Sequence, residues 1–270
     1  MKAEAQGSVL ARILAATAAD LAGRAHERPE WERRAARAPA APSFGGALAT
    51  GPVAVIAEVK RRSPSAGAIR AAADAVALAR GFAEAGAAAI SVLTEQAHFG
   101  GSLEDLSRVA REVGLPVLRK DFVVAPLQLY EARAAGAAAV LLIARVLPEP
   151  RLAELSALAQ QLGLATLVEV HDRWELERAA EVRPTAIGVN ARDLETLGLD
   201  LSLAPALLPR VPPGVIAVAE SGLRNRADVE RVAACGADAV LVGTAVAGAG
   251  DPGAAVTALV GVPRPGRAAA

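Results

Sequence analysis

The chain is predicted to fold as a (β/α)8 barrel with a helical extension ahead of it, and three observations predict this. Eight short apolar runs of β type recur between residues 53 and 244, with starts spaced like βα units. Between them lie helix-length segments whose apolar residues repeat every three to four positions, such as Leu152, Leu155, Leu158 and Leu162, or Val229, Val232 and Ala233. The runs are apolar almost throughout rather than alternating, as in a parallel sheet covered by helices. Eight of them within one domain length favour a closed TIM barrel over an open doubly wound sheet, and no G-x-G-x-x-G follows the first run.

Taken in order, the strand runs are VAVIAEVK (53–60), AAAISVLTE (87–95), PVLRKDF (116–122), AAVLLIARV (138–146), ATLVEV (165–170), AIGVN (186–190), VIAVAE (215–220) and DAVLVGT (238–244). A near-repeat, EAGAAAI at 84–90, AAGAAAV at 134–140 and ACGADAV at 234–240, sets Gly86, Gly136 and Gly236 where helix ends call for a positive φ. Ahead of the barrel, residues 9–25 place apolar side chains at 10, 13, 14 and 21, with Thr17 on the same face, the stripe of an amphipathic helix that must pack on something. The charged segment 27–37 reads as a second helix, and 38–52, rich in Pro, Gly and Ala, as a linker. The expected division is therefore 1–52 for extension and linker, 53–260 for the barrel, and 261–270 for a disordered tail.

Composition narrows the classes. The 270 residues are 53% hydrophobic, enough to close one α/β core, while a net charge of zero argues against a nucleic-acid partner. Aromatic residues make up only 3%, so the core must be built from Ala, Val, Leu and Ile. The single Cys235 can form neither an internal disulfide nor a metal cluster, and a reducing, cytoplasmic location is expected. The first twenty residues lack a continuous hydrophobic core, and the longest apolar run, 134–144, is too short to span a bilayer. Neither export nor membrane insertion is expected.

Of the 29 basic residues only Lys2, Lys60 and Lys120 are lysines. Arg serves wherever a fixed positive charge suffices, whereas a buried Lys can titrate. Lys60 and Lys120 each end a strand run, at the rim where such barrels carry their active sites, and are the first candidates for proton transfer. Strand alternation places Glu58 on the face of Lys60, Phe122 on that of Lys120, and Asn190 on that of Arg192. Glu169 and Glu220 add carboxylates at the ends of runs five and seven, where burial demands partners that the lysines could supply. Ser221 and Gly222 after run seven, with Gly243 and Thr244 after run eight, suit a phosphate, so a phosphorylated small molecule is the expected ligand. Ser63 lies in the loop after run one, near the same mouth. The three histidines, His26, His98 and His171, have no metal-ligand spacing, and His171 reads as the start of the following helix. No metal and no cofactor are expected.

Together AEVKRRSPSAG (57–67), LTEQAHFGGSLEDL (93–106), LRKDFV (118–123), LLIARVL (141–147), LVEVH (167–171), IGVNARDL (187–194), AESGL (219–223) and VLVGTA (240–245) resemble the indole-3-glycerol phosphate synthase family over nearly the whole chain from about residue 9. One departure is Ala191, where the family commonly has a second Asn. The resemblance implies ring closure of 1-(2-carboxyphenylamino)-1-deoxyribulose 5-phosphate to indole-3-glycerol phosphate, with loss of carbon dioxide and water, in tryptophan biosynthesis. It implies Lys120 as the acid that protonates the developing alkoxide, and Glu169 as stabiliser of the cationic intermediate or proton acceptor. Lys60 and Glu58 would be acid and base for the dehydration, although which Lys serves which step stays open. Asn190 would bond the reacting oxygen, Arg192 orient substrate oxygens or the carboxylate, and Phe122 wall the aromatic ring. Ser221, Gly222, Gly243 and Thr244 would hold the phosphate, with Ser63 and Glu220 near the substrate.

Other readings share parts of this pattern. A Schiff-base aldolase would use Lys120 as nucleophile. A non-catalytic phosphosugar-binding barrel would need the phosphate loops but not the Glu and Lys pairs. Phosphoribosylanthranilate isomerase would need a Cys and an Asp as its acid/base pair, and Cys235 sits at the wrong end of a strand for that. The chain is expected to be a monomer or weak oligomer, with no nucleic-acid or membrane partner.

Overall fold

A computed structural model describes residues 8–71 and 73–265; Lys2 and residues 266–270 lie outside the described residues. Strands β1 (Ala54–Val59), β2 (Ala89–Leu93), β3 (Val117–Lys120), β4 (Ala139–Ile143), β5 (Ala165–Val170), β6 (Ala186–Asn190), β7 (Ile216–Glu220) and β8 (Ala239–Val242) pair in chain order. All are parallel, and β1 pairs with β8 to close the barrel. The predicted fold class is the observed one. The strands at 165–170 and 186–190 match their apolar runs, and the other six are shorter than theirs. Gly86, Gly136 and Gly236 have φ values of 93°, 90° and 92°, the left-handed conformation that their positions at helix exits require.

Alternation sorts each strand into two cores. Val55, Ala57, Val92, Leu142, Val168, Val189 and Val240 face outward and pack beneath the helices. The inward set is layered. Small residues (Ala54, Ala89, Ala139, Ala186, Ala239) form its lower layer, and larger ones (Ile56, Leu118, Leu141, Leu167, Val218, Leu241) fill the middle. The alanines make room for a plug. In the segment expected to be a linker, α3 (Phe44–Ala49), capped by Ser43, inserts Phe44 and Leu48 into the inner core. A Pro/Gly/Ala-rich composition concealed this short helix, because its stability comes from burial of two side chains rather than from propensity.

The other end carries α1 (Val9–Gly23), and α2 (Arg28–Arg37) then packs along the barrel's flank against the helix that follows β3. Leu10 and Ile13 of α1 join the inner core from above, so the amphipathic stripe packs on the barrel mouth. The extension is also tied through charge. Arg24 pairs with the buried Glu131 of α6 (Pro126–Ala134), which in turn receives a hydrogen bond of 3.0 Å from Arg119 on β3. At the C-terminus the expected disorder from 261 is corrected. The Val53 N–H donates to Val262 O (2.9 Å), and Arg264 donates to the carbonyls of Leu48 and Asp238 (2.7 and 2.9 Å), pinning the chain up to 265. Among the described residues no helix is long and apolar enough to cross a membrane.

Candidate active site

The third inward layer is where the sequence turns polar. The eight strand ends supply Glu58, Leu93, Lys120, Ile143, Glu169, Asn190, Glu220 and Gly243, all of which line one cavity of about 590 Å³. Lys60, Ser63, Phe122, Arg192, Ser221, Gly222 and Thr244 line it too, so every residue expected at the site lines one cavity. Continuous inward alternation produces this convergence, since each residue lies two positions beyond the middle layer of its own strand.

Lys120 stands at the centre. Its Nζ lies 3.1 Å from Glu169 Oε2 and 3.4 Å from Glu220 Oε2. Burial alone would favour the neutral amine, but Glu169, Glu220 and Glu58 outweigh it and raise Lys120 above an ordinary lysine. This corrects the expectation that Lys was chosen for easy titration: the resting site keeps Lys120 an ammonium. The carboxylates diverge. Burial opposes charge on Glu169, yet Lys120, His171 and Asn190 hold it well below the usual carboxylate range. Burial pushes Glu220 upward, helped by Glu169 and Glu58 and opposed by Lys120. Two carboxyl groups on one lysine thus have unequal appetite for a proton, the arrangement that separates acid and base roles.

A second pair lies beside the first. Lys60 Nζ is 2.5 Å from Glu58 Oε1, and Ser91 Oγ reaches Glu58 Oε2 at 3.5 Å. Two glycines make room for these carboxylates. A Cβ on Gly188 would lie 2.0 Å from Glu220 Oε1, and one on Gly243 would lie 2.3 Å from Glu58 Oε1. At the β7 side of the cavity, Ser221 and Gly222 both have left-handed φ, 64° and 74°. Such a conformation is costly for Ser and is typical of a functional turn. On the opposite side Phe122 meets Phe99 with ring centroids 6.4 Å apart, and Leu197, Leu194 and Ile13 extend the apolar wall. Arg192 donates to Leu197 O (2.7 Å), and Asn190 Oδ1 accepts from the Arg192 N–H (3.0 Å), so these two brace the loop after β6.

Sequence reasoning named Phe122 but missed the rest of the apolar wall, because Leu197 and Phe99 are loop residues and Ile13 belongs to α1. It also misplaced His171. Asp172, not His171, caps α8 (Arg173–Glu181) by accepting from the Glu175 N–H at 2.8 Å. His171 is instead buried beside Glu169. Its parity was the signal available, since 167, 169 and 171 share a face.

Comparisons with known proteins bear on the chain as a whole. A family model described as indole-3-glycerol phosphate synthase matches residues 10–259. Proteins named indole-3-glycerol phosphate synthase from Mycolicibacterium vanbaalenii and Parafrankia sp. are 48% and 49% identical over 255 residues, covering 94% of this chain and 94% and 95% of theirs. One of that name from Streptomyces griseus is 48% identical over the same length. Among solved structures, 3-hexulose-6-phosphate synthase from Salmonella typhimurium superposes with a TM-score of 0.62 at 15% identity, covering 77% of this chain and 96% of that one. That likeness concerns the barrel fold alone. The family match across the chain and the relatives near half identity lead to one conclusion: the chain belongs to the indole-3-glycerol phosphate synthase family.

Proposed function

We propose that the chain converts 1-(2-carboxyphenylamino)-1-deoxyribulose 5-phosphate to indole-3-glycerol phosphate. The observation that carries this reading is an ammonium, Lys120, held charged by three carboxylates between an aromatic wall at Phe122 and a left-handed turn at Ser221 and Gly222. Each part answers to a part of the substrate: the turn, with Gly243 and Thr244, to the phosphate, Phe122 to the anthranilate ring, and Arg192 to the carboxylate.

The chemistry then follows the charges. The ring carbon bearing the carboxylate attacks the ketone, and Lys120 donates its proton to the oxygen that would otherwise become an alkoxide. Glu169 stabilises the positive charge that develops on the ring system, and Asn190 bonds the reacting oxygen. Carbon dioxide leaves with its bonding electrons returned to the ring. Lys60 then protonates the departing hydroxyl, which leaves as water, and Glu58 removes a proton from the new five-membered ring. Glu220 faces Lys120 with a raised affinity for protons, which suits it to return the proton that Lys120 gives up. A cytoplasmic biosynthetic role as a monomer or weak oligomer suits a chain whose one thiol, Cys235, is free.

The charged state of Lys120 disfavours a Schiff-base reading, which needs a neutral amine as nucleophile. The test is indole-type absorbance or fluorescence formed from the substrate in EDTA without added cofactor. Product formation supports the proposal; no product, or a borohydride-trapped adduct on Lys120, would overturn it.

A further inference from the structure

Nothing in the proposed chemistry uses His171, yet it is among the most enclosed polar residues of the chain, 4% exposed. Its Nε2 lies 3.4 Å from Glu169 Oε1, an ion-pair contact outside hydrogen-bond geometry, while the other oxygen, Oε2, faces Lys120 at 3.1 Å. The two oxygens of Glu169 are thus divided between a histidine behind and a lysine in front. Behind His171, Glu175 Oε2 accepts from the His171 backbone N–H at 2.7 Å and lies 3.1 Å from Nδ1. Glu175 Oε1 accepts from Arg145 Nε at 2.7 Å, and Arg145 Nη1 donates to Asp193 Oδ2 at 2.8 Å.

We propose that His171 is a positioning residue: a protonated imidazole clamped by Glu175 that fixes the Glu169 carboxylate toward Lys120 and keeps it ionised. This rests on the reading of Glu169 given above. The chain of contacts joins the end of β4 at Arg145, the end of β5, helix α8 and the loop after β6 at Asp193. That loop carries Arg192 and follows directly on Asn190, so the same clamp sets Glu169 against the residues proposed to hold substrate. A neutral imidazole could offer only one N–H to the two carboxylates it faces, whereas the protonated ring offers one to each. Burial disfavours the charge, but Glu169 and Glu175 outweigh it and raise His171 to about 9. The charged groups bearing on the ring are Glu169 and, through it, Lys120 from the barrel interior, Glu175 from α8, and, beyond Glu175, Arg145, Asp193 and Asp172.

Three variants test this. His171→Gln can still reach Glu169 with an amide N–H but is uncharged; His171→Asn can serve Glu175 but is too short for Glu169; Glu169→Gln removes the charge His171 faces. For His171→Asn the expectation is a fall in kcat of roughly 10- to 100-fold, the scale of a misplaced reacting group, with KM nearly unchanged. The acidic limb of its kcat profile should move to higher pH, and His171→Gln should recover part of the rate. A structural role alone would lower the melting temperature of both variants without moving that limb, and this result would overturn the proposal. Because the chain has three histidines, an imidazole NMR titration reads the clamp without turnover. His171 should titrate well above a free histidine and fall toward it in Glu169→Gln. A normal value in the wild-type protein, or no change in the variant, also overturns the proposal. If the wild-type protein gives no indole product while the titration is as expected, it is the assigned reaction that fails and not the clamp.

Discussion

Gly188 lies in the middle of β6, facing inward, and the glycine is there for what stands beside it. An added Cβ would meet Glu220 Oε1 at 2.0 Å and Glu220 Cδ at 3.1 Å. Gly188→Ala therefore requires the carboxylate to retreat by about 1 Å or more before ordinary van der Waals separation is restored. Glu220 Oε2 sits 3.4 Å from Lys120 Nζ, at the outer reach of a hydrogen bond, so a retreat of that size breaks the contact. Gly188 does not have a positive φ, so the backbone accepts alanine and the penalty is steric and electrostatic only. Overpacking of this kind costs about 1–3 kcal/mol of stability, and displacement of a group beside the reacting atoms costs up to about 100-fold in kcat. Denaturant unfolding and steady-state kinetics read the two effects separately. Combining Gly188→Ala with Glu220→Ala removes the clashing atoms, so most of the stability should return while activity does not, a non-additivity of at least about 1 kcal/mol. Unchanged kcat in Gly188→Ala, or additive stability losses in the pair, would refute the claim that this glycine makes space for the carboxylate.

Two further expectations come from the same geometry. Gly222→Ala places a Cβ 2.4 Å from Leu201 Cδ2 at a residue with φ of 74°, so the turn must deform; KM for the phosphorylated substrate and the affinity for inorganic phosphate should both weaken by about tenfold or more, readable by calorimetry. His171, raised from 6.5 to about 9, is charged in the folded protein at pH values where the unfolded chain has lost the proton; its stabilisation is complete below about 6.5 and lost as pH rises through 9. The difference in unfolding free energy between wild type and His171→Asn should shrink by about 3 kcal/mol across that window, and a constant difference would contradict the assignment.

The barrel was legible because its information is local. Apolar runs of strand length, helix stripes and glycines at helix exits each specify one element, and parity along a strand assigns Glu58, Lys120, Glu169, Asn190 and Glu220 to one face. What escaped were contacts between residues far apart in the chain. Phe44 and Leu48 fill space left by alanines on five different strands, Ile13 closes a wall with Leu197, and Arg264 reaches Leu48 and Asp238. None of these leaves a periodic trace. The scarcity of lysine led to two residues that line the cavity, by an incomplete argument. Lys60 and Lys120 do sit at the site, but Lys120 is held charged by the sum of three carboxylates drawn from three strands, and only the closed barrel determines that sum. His171 was misread as the start of a helix because Asp172 beside it takes the cap, and its true partner Glu175 is one helical turn further on.

The central claim is that Lys120 acts through the proton it carries and not merely through its charge. Lys120→Arg keeps a positive group facing Glu169 and Glu220 but replaces the compact ammonium with a planar guanidinium that does not deprotonate in proteins. Single-turnover formation of indole-3-glycerol phosphate by this variant, beside wild type, tests the claim directly. The account predicts a loss of about 10² or more, the contribution of a general acid, with substrate binding retained; turnover within a few-fold of wild type would contradict it.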